Sequence, residues 1–301
     1  MRVVVVGDAL IDELRDDRGV REFVGGAALN VAVGLTRLGV PTTLIAMVGD
    51  DEAGDHIRGY LRDYGVELLA SPGPFGSSRA VSTRTGGEPV YVFNEAAQNR
   101  AVVFGEAERR ACQDADLVVV SCFPFDDPAQ VEALADAVGP TPLAIDPNPR
   151  TGMMSDLAEF VRGFERLAAQ ASLVKVGEDD AALLYRVPLD GLRDRLRDLG
   201  AAVVLTTYGP AGAGLDAPGM EITAPISKLP GRIVDTMGAG DAVLSAIAAS
   251  LVQDSPEGED EWGAALHRAM DVAAATCRFE GALLRLPSAI DDDDELEHFG
   301  S

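Results

Sequence analysis

The chain has 301 residues, of which 47% are hydrophobic, and a formal net charge of −24 at pH 7. This length suits one large globular core, or one core with a small appendage. With 25 Lys and Arg residues against 49 Asp and Glu residues, the chain offers no basic surface for a phosphate backbone, which argues against nucleic acid as a partner.

The first strand is predicted at residues 3–6, where four valines are followed at once by polar residues. This run is far too short for the apolar core of a signal peptide or for a membrane-spanning helix. Cys112, Cys122 and Cys277 lie in apolar segments without the spacing of a zinc site, which indicates buried, reduced thiols. We therefore expect a cytoplasmic protein with no membrane partner.

Short β-branched runs alternate with helical stretches along the chain. The predicted strands lie at residues 3–6, 42–46, 117–121, 143–145, 173–176 and 203–207. Gly39, Gly65 and Gly200 follow helical runs and suit the left-handed C′ position that ends a helix. This alternation predicts an α/β fold with a mostly parallel sheet covered by helices on both faces.

Two stretches interrupt the alternation. Residues 11–24 are polar and too irregular for a crossover helix, while residues 79–85 and 89–93 are predicted as two strands around a tight turn at Gly86-Gly87. We expect a small β layer that covers a site as a lid and excludes water from it. The predicted division of the chain is a β lid at residues 11–24 and 77–94 and an α/β core at residues 1–10, 25–76 and 95–301.

The most informative segment is DTMGAGD, at residues 235–241, which leads into the apolar stretch AVLSAIAASLV. The stretch predicts a buried helix. The small residues Gly238, Ala239 and Gly240 leave backbone amides at its N-terminus accessible to a phosphate. Asp241 follows them, where a carboxylate could accept a proton during phosphoryl transfer. An ordinary helix cap after a glycine turn is the alternative for this motif alone.

A second segment, GGAALN at residues 25–30, places two glycines before a predicted helix. Gly26 allows the backbone to approach a ligand closely, and the side-chain amide of Asn30 can both donate to and accept from hydroxyl groups. For this segment alone, a capped helix start is the simpler explanation.

Together, GGAALNVAVGLTRLG and DTMGAGDAVLSA resemble the paired signatures of the ribokinase-like, or phosphofructokinase B, carbohydrate kinases. Further segments similar to the family are VGDALID, AIDPNPR, LVKVGEDDAALL, TTYGPAGAG and EGALLRLP. The resemblance implies a three-layer αβα fold with a mostly parallel central sheet and a small β lid. It also implies an enzyme that uses ATP and Mg²⁺ to phosphorylate a sugar hydroxyl, and the segments are most similar to fructokinases.

The resemblance implies roles for individual residues. Asp241 would be the catalytic base, and the backbone amides of Gly238, Ala239, Gly240 and Asp241 would hold the transferred phosphoryl group. The residues that would bind the sugar are Asp12, Gly26, Asn30, Asp146, Asn148 and Arg150. The residues that would bind the nucleotide are Lys175, Thr207, Gly209 and Gly212. Ordinary turns are the alternative for Asp12, for Asp146 and for the segment at 207–212.

The metal sites depart from the family pattern. Gly177 stands where relatives often have Asn or Ser, and Asp180 stands where they often have Glu, so Asp180 would reach Mg²⁺ through a water molecule. Solvated acids at a helix start are the alternative for residues 178–180. Asp235 matches a monovalent-cation position of many relatives, but Arg285 stands at a position that is often small and polar. The Arg285 guanidinium could take the place of the cation, or the side chain could face the surface.

Several functions remain open from the sequence. A dinucleotide oxidoreductase and a Walker-type phosphotransferase are disfavoured because VVVVG is not followed by GxGxxG and because GxxxxGK[ST] is absent from the sequence. The alternatives to a fructokinase are a ribokinase, a 2-keto-3-deoxygluconate kinase, a nucleoside kinase, or a non-catalytic sugar- or nucleotide-binding regulator on the same fold. A homodimer through the lid is also expected if the lid exposes a sheet edge.

Overall fold

The computed structural model describes residues 1–16, 19–83 and 90–290. The strands are β1 (Val3–Gly7), β2 (Leu10–Asp16), β3 (Gly19–Gly25), β4 (Thr42–Val48), β5 (Glu67–Pro72), β6 (Ser78–Thr83), β7 (Val90–Phe93), β8 (Leu117–Ser121), β9 (Leu143–Asp146), β10 (Leu173–Gly177), β11 (Val204–Thr207), β12 (Ala213–Ala217) and β13 (Met220–Ala224). The helices are α1 (Ala27–Arg37), α2 (Glu52–Asp63), α3 (Glu95–Gln98), α4 (Glu106–Gln113), α5 (Pro128–Val138), α6 (Leu157–Ala168), α7 (Glu178–Asp180), α8 (Leu189–Leu199), α9 (Ala239–Gln253) and α10 (Glu259–Thr276).

The larger sheet has the strand order β13-β12-β11-β10-β9-β8-β1-β4-β5 within the described part of the chain. The strands from β11 to β5 run parallel, whereas β12 and β13 are antiparallel at one edge. The order reverses at β1, which lies between β4 and β8. Open α/β sheets bind ligands at the carboxyl ends of the strands at such a reversal.

Two apolar layers cover the two faces of this sheet. Val3 and Val5 pack into the layer formed with α1, α2, α9 and α10, while Val4 and Val6 pack into the layer formed with α4, α5, α6 and α8. Successive side chains of a strand point to opposite faces, so a strand buried on both faces is a continuous apolar run. The three-layer α/β fold predicted from the alternating pattern is confirmed.

A smaller sheet, which we call the lid sheet, has the order β3-β2-β6-β7 in the same described residues. β2 pairs antiparallel with β3 and parallel with β6, and β6 pairs antiparallel with β7. The two stretches that interrupt the α/β pattern therefore pair with each other. The predicted turn at Gly86-Gly87 lies outside the described residues.

The helix ends follow the glycine pattern. Gly39, Gly65 and Gly200 have φ angles of 82°, 71° and 115°, which is the left-handed conformation that favours glycine. The helix predicted after DTMGAGD is α9, and its residues 242–250 are buried. Within the described residues, every helix is either too short or too polar to cross a membrane.

Candidate active site

A cavity of about 440 Å³ lies between the lid sheet and the carboxyl ends of the central strands. Charged and amide side chains reach it from five parts of the chain: Asp8 after β1, Asp12 in β2, Asn30 in α1, Arg150 after β9 and Asp241 in α9. Residues that are far apart in sequence thus line one chamber, which we call the acceptor cavity. Its position matches the reversal of strand order at β1.

The backbone turn at the start of α9 forms one wall of the cavity. Gly238 caps the helix with φ 75°, and a Cβ atom added there would lie 2.7 Å from Cα of Ala282. The Ala239 amide donates to the carbonyl of Thr236 at 3.3 Å. Gly240 and Asp241 follow in the first helical turn, where amides lack intrahelical partners and the helix dipole favours an anion. This turn is suited to binding a phosphoryl group.

The Asp241 carboxylate contacts the second predicted motif directly. The Asn30 side-chain nitrogen Nδ2 donates to Oδ2 of Asp241 at 2.9 Å, which joins α1 to α9. Burial raises the pKa of Asp241 from 3.8 to about 6; the Asn30 bond and the charges of Lys175 and Arg150 oppose this rise, and the charge of Asp146 adds to it. A carboxyl group with this pKa is largely ionised at neutral pH and is more basic than an ordinary aspartate.

Asp12 and Asp8 add two further acidic groups to the cavity. Burial, together with the charges of Asp8 and Asp241, raises the pKa of Asp12 to about 7, and the charge of Arg150 opposes this rise. Burial also raises the pKa of Asp8, whose Oδ1 accepts from the Ala28 amide at 3.0 Å. The cavity therefore concentrates groups that can exchange hydrogen bonds with hydroxyls.

Sequence analysis did not identify Asp8 as a site residue. Its signal was its position immediately after the first strand, in the segment VGDALID. Gly26, in the GGAALN motif, lies against the Asp8 backbone. It has φ 110°, and an added Cβ would lie 2.9 Å from the carbonyl oxygen of Asp8. The close approach of these two segments requires glycine at position 26.

Asp146 and Asn148 differ in burial and in backbone conformation. The Asp146 side chain is completely buried at the end of β9, where Oδ2 accepts from Nζ of Lys175 at 3.0 Å. The Asp146 carboxylate is hydrogen-bonded to Lys175 and is not among the residues that line the acceptor cavity. Its predicted contact with the sugar stays a prediction. Asn148 is half-buried with φ 38°, in the bend that leads from β9 to Arg150.

The predicted nucleotide residues lie beyond the α9 turn. Thr207 ends β11, and a Cβ added at Gly177 would lie 3.1 Å from its Oγ1, so the ends of β10 and β11 approach closely. Gly209 and Gly212 have φ angles of 52° and 106° in the turn that follows. Lys175 lies on the α9 side, with Nζ 3.2 Å from the position of a Cβ at Gly240.

Asp180 is the predicted water-mediated metal contact. Its Oδ2 accepts from the Gly177 amide at 2.6 Å. Burial raises its pKa to about 6, against the charge of Lys175. No group of three or more His, Cys, Asp or Glu side chains suited to a metal ion occurs in the part of the chain that the structure describes.

Asp235, the predicted monovalent-cation residue, links two loops. Its Oδ1 accepts from the Met237 amide at 3.1 Å, and its Oδ2 accepts from the Gly281 amide at 3.2 Å. The Arg285 guanidinium carbon Cζ lies 4.7 Å from the centroid of the Phe279 ring, a cation–π contact. The Arg285 side chain is therefore held by an aromatic neighbour and is only partly exposed.

Known proteins are similar to this chain in sequence and in architecture. A family model described as "pfkB family carbohydrate kinase" matches residues 1–289. A fructokinase from Rhizobium leguminosarum bv. trifolii is 29% identical over 269 residues, which cover 84% of this chain and 80% of the relative. An aminoimidazole riboside kinase from Salmonella typhimurium (strain LT2) is 28% identical over 296 residues, which cover 95% of this chain and 92% of the relative.

The fold comparison agrees with the sequence comparison. The structure of a fructokinase from Vibrio cholerae O395 in its fructose, ADP and calcium ion bound form matches with a TM-score of 0.77 at 22% identity, over 94% of each chain. At this identity the match shows the fold. The family model, in contrast, extends over nearly the whole sequence, so the chain belongs to the PfkB family of carbohydrate kinases.

Proposed function

We propose that this sugar kinase is an ATP-dependent fructokinase with Asp241 as its catalytic base. The observation that carries the proposal is the meeting of Asp241, its partner Asn30 and the α9 turn in one cavity with Asp8 and Asp12. A phosphoryl acceptor, a base and an anion-binding turn must be adjacent for transfer to occur. Asp241 and Gly238 of the α9 turn line the same cavity, which supports the proposal.

In the proposed reaction, the acceptor hydroxyl oxygen bonds to the γ-phosphorus of ATP while the bond from that phosphorus to the bridging oxygen breaks and ADP leaves. The hydroxyl proton passes to the Asp241 carboxylate. The amides of Gly240 and Asp241, with the α9 dipole, stabilise the negative charge on the transferred group. Lys175 adds a positive charge on the same side.

We assign the acceptor sugar to Asp8, Asp12, Gly26, Asn30 and Arg150. Three carboxyl groups and one guanidinium supply the charge in this cavity. This charge favours an uncharged polyol over a sugar phosphate, because the carboxyl groups would repel the phosphate of the sugar. Fructose is chosen because the chain resembles fructokinases over most of its length. The riboside kinase similarity makes a ribose-containing acceptor the second candidate.

We assign the nucleotide to Lys175, Thr207, Gly209 and Gly212, and a divalent metal to the phosphates of ATP. Magnesium keeps several waters and needs only one or two carboxylates, so Asp180 fits a water-mediated contact. The metal would neutralise phosphate charge. The free thiols Cys112, Cys122 and Cys277 support a reducing compartment, and we place the enzyme in the cytoplasm.

The role of Asp241 is tested by Asp241→Asn, which keeps the shape and removes the base. We expect turnover of ATP with fructose to fall by about 10²- to 10⁴-fold, as for the loss of a general base. ADP release measures turnover, and mass spectrometry identifies the phosphosugar. Asp55→Asn is the matched control, since Asp55 also lies in the first turn of a helix but is exposed in α2. Near-normal turnover in Asp241→Asn would exclude it as the base.

The choice of sugar is tested by ADP release from the unmodified enzyme with fructose, ribose, 2-keto-3-deoxygluconate and nucleosides. We expect the highest kcat/KM with fructose. A higher kcat/KM with another acceptor would identify that acceptor as the substrate, and the chain would still be a sugar kinase. Failure to form a phosphorylated product with every acceptor would favour the binding regulator.

A further inference from the structure

A buried ion pair lies on the nucleotide side of the acceptor cavity. Nζ of Lys175 in β10 donates to Oδ2 of Asp146 at 3.0 Å, and the two side chains are 9% and 0% exposed. We propose that Asp146 is a positioning residue, which holds the Lys175 ammonium against the phosphoryl-binding turn of α9 and so contributes to ATP binding. This inference rests on the proposed function of the site.

The geometry places the ammonium against that turn. A Cβ added at Gly240 would lie 3.2 Å from Nζ of Lys175 and 3.6 Å from its Cε, so the lysine end lies beside the backbone that would bind the phosphoryl group. A positive charge here lies close to the developing negative charge of the transferred group, where its effect is largest. Gly240 is the residue whose small size permits this contact.

Asp146 keeps Lys175 charged and directed. Burial by itself opposes the charged ammonium, but the carboxylates of Asp146, Asp180 and Asp241 outweigh burial and raise the pKa of Lys175. Among these three, Asp146 is the one whose bond to Nζ is within hydrogen-bonding distance in the structure. Asp146 is therefore the group that positions the Lys175 ammonium.

The pair is poorly explained as a stabilising feature of the core. Oδ1 of Asp146 is buried and has no hydrogen-bond partner among the described residues. Burying a carboxylate with an unused oxygen is costly, and buried ion pairs often contribute little to stability. Stability alone therefore does not account for the pair, and its place beside the α9 turn carries the proposal.

Asp146→Asn tests the proposal because it removes the charge and nearly preserves the volume. We expect ATP affinity, measured by calorimetry on the full chain, to weaken by about 10- to 100-fold, as for the loss of a charged hydrogen bond. The KM for fructose should stay unchanged. Ser121→Ala is the matched control: Ser121 is also completely buried and pairs with Asp146 between β8 and β9, and it should leave ATP affinity unchanged.

A double-mutant cycle with Lys175→Met shows whether Asp146 acts through the lysine. We expect Asp146→Asn to weaken ATP binding no further in the Lys175→Met background, since a positioning residue has no effect once its target is absent. If Asp146→Asn alone does not fold, the double variant removes both buried charges together, and its ATP affinity should equal that of Lys175→Met.

Two results would overturn the proposal: unchanged ATP affinity in Asp146→Asn, or additive losses in the cycle. Unchanged ATP affinity together with a raised KM for fructose would make Asp146 a sugar ligand. A chain that forms no phosphosugar but binds ATP through the Asp146–Lys175 pair would refute the proposed function and keep the positioning role. The two proposals therefore fail separately.

Discussion

At the residue scale, the site is governed by carboxyl groups that are partly withdrawn from water. Asp241 and Asp12 lie in the same cavity, and burial raises the pKa of each, to about 6 and about 7. Arg150 opposes the rise in both cases. The protonation state of the cavity thus changes just below neutral pH, whereas free aspartate titrates near 3.9.

We expect kcat/KM for fructose to fall as the pH drops through about 6. The base reacts in its ionised form, and burial raises the pKa of Asp241 from 3.8 to about 6, so protonation removes activity at a higher pH than for an exposed aspartate. A pH–rate profile measures this. Because Asp12 titrates nearby, the apparent pKa belongs to the pair. An acid limb near pH 4 would contradict the prediction.

Asn30→Ala provides a directional control for this profile. The Asn30 hydrogen bond favours the ionised form of Asp241 and lowers its pKa. Removing the bond should move the acid limb to higher pH. If Asn30→Ala remains active and the acid limb of its pH–rate profile is unchanged, Asp241 is not the titrating group.

At the element scale, the α9 turn is the feature that requires a particular residue type. Gly238 adopts φ 75°, and an added Cβ would lie 2.7 Å from Cα and 2.7 Å from the carbonyl oxygen of Ala282. Neither neighbour is a flexible side-chain end, so the backbone itself must move to admit any side chain. Glycine is therefore required at position 238 both by the backbone conformation at the start of α9 and by the close approach of the loop after α10.

We expect Gly238→Ala to lower the free energy of unfolding by about 1–3 kcal/mol, the usual cost of a strained backbone position. Gly263→Ala is the control: Gly263 lies inside α10 with no atom within 4 Å of an added Cβ. This change should raise stability by about 0.5–1 kcal/mol because alanine favours the helix interior. Denaturant unfolding measures both, and equal effects would contradict the strain argument.

Interior and edge elements differed in how well they could be predicted. The buried parallel strands are β-branched apolar runs, and each was predicted from that pattern. β5, β12 and β13 were not predicted, because they lie at the edges of the sheet or next to them and carry partly exposed residues. Their strand conformation depends on the neighbouring strand more than on local propensity.

At the scale of the whole molecule, β3 and β7 lie at the edges of the lid sheet as far as the described residues show. Val20 in β3 is 62% exposed. Val92 in β7 is 61% exposed. Exposed apolar residues on an edge strand invite pairing with another chain, and we propose a homodimer related by a two-fold axis through this sheet.

Val92→Lys should convert the proposed dimer to a monomer, because a charge on an edge strand opposes pairing. Val103→Lys is the control, since Val103 is 56% exposed but lies outside the strands, and it should leave the dimer intact. Sedimentation equilibrium gives the mass of each variant. A monomeric unmodified chain would refute the dimer.

The sequence by itself determined the α/β class and the buried helix after the glycine turn, and its resemblance to the ribokinase-like kinases implied the candidate roles of Asp241 and Asn30. The class and the helix depend on periodicity, residue size and local turn chemistry, which act over a few residues. The tertiary structure alone decided that Asp8 lines the cavity, that Asp146 accepts a hydrogen bond from Lys175 and that Arg285 stacks on Phe279. Strand order and side-chain direction bring those groups together, and both are set by packing between segments distant in sequence.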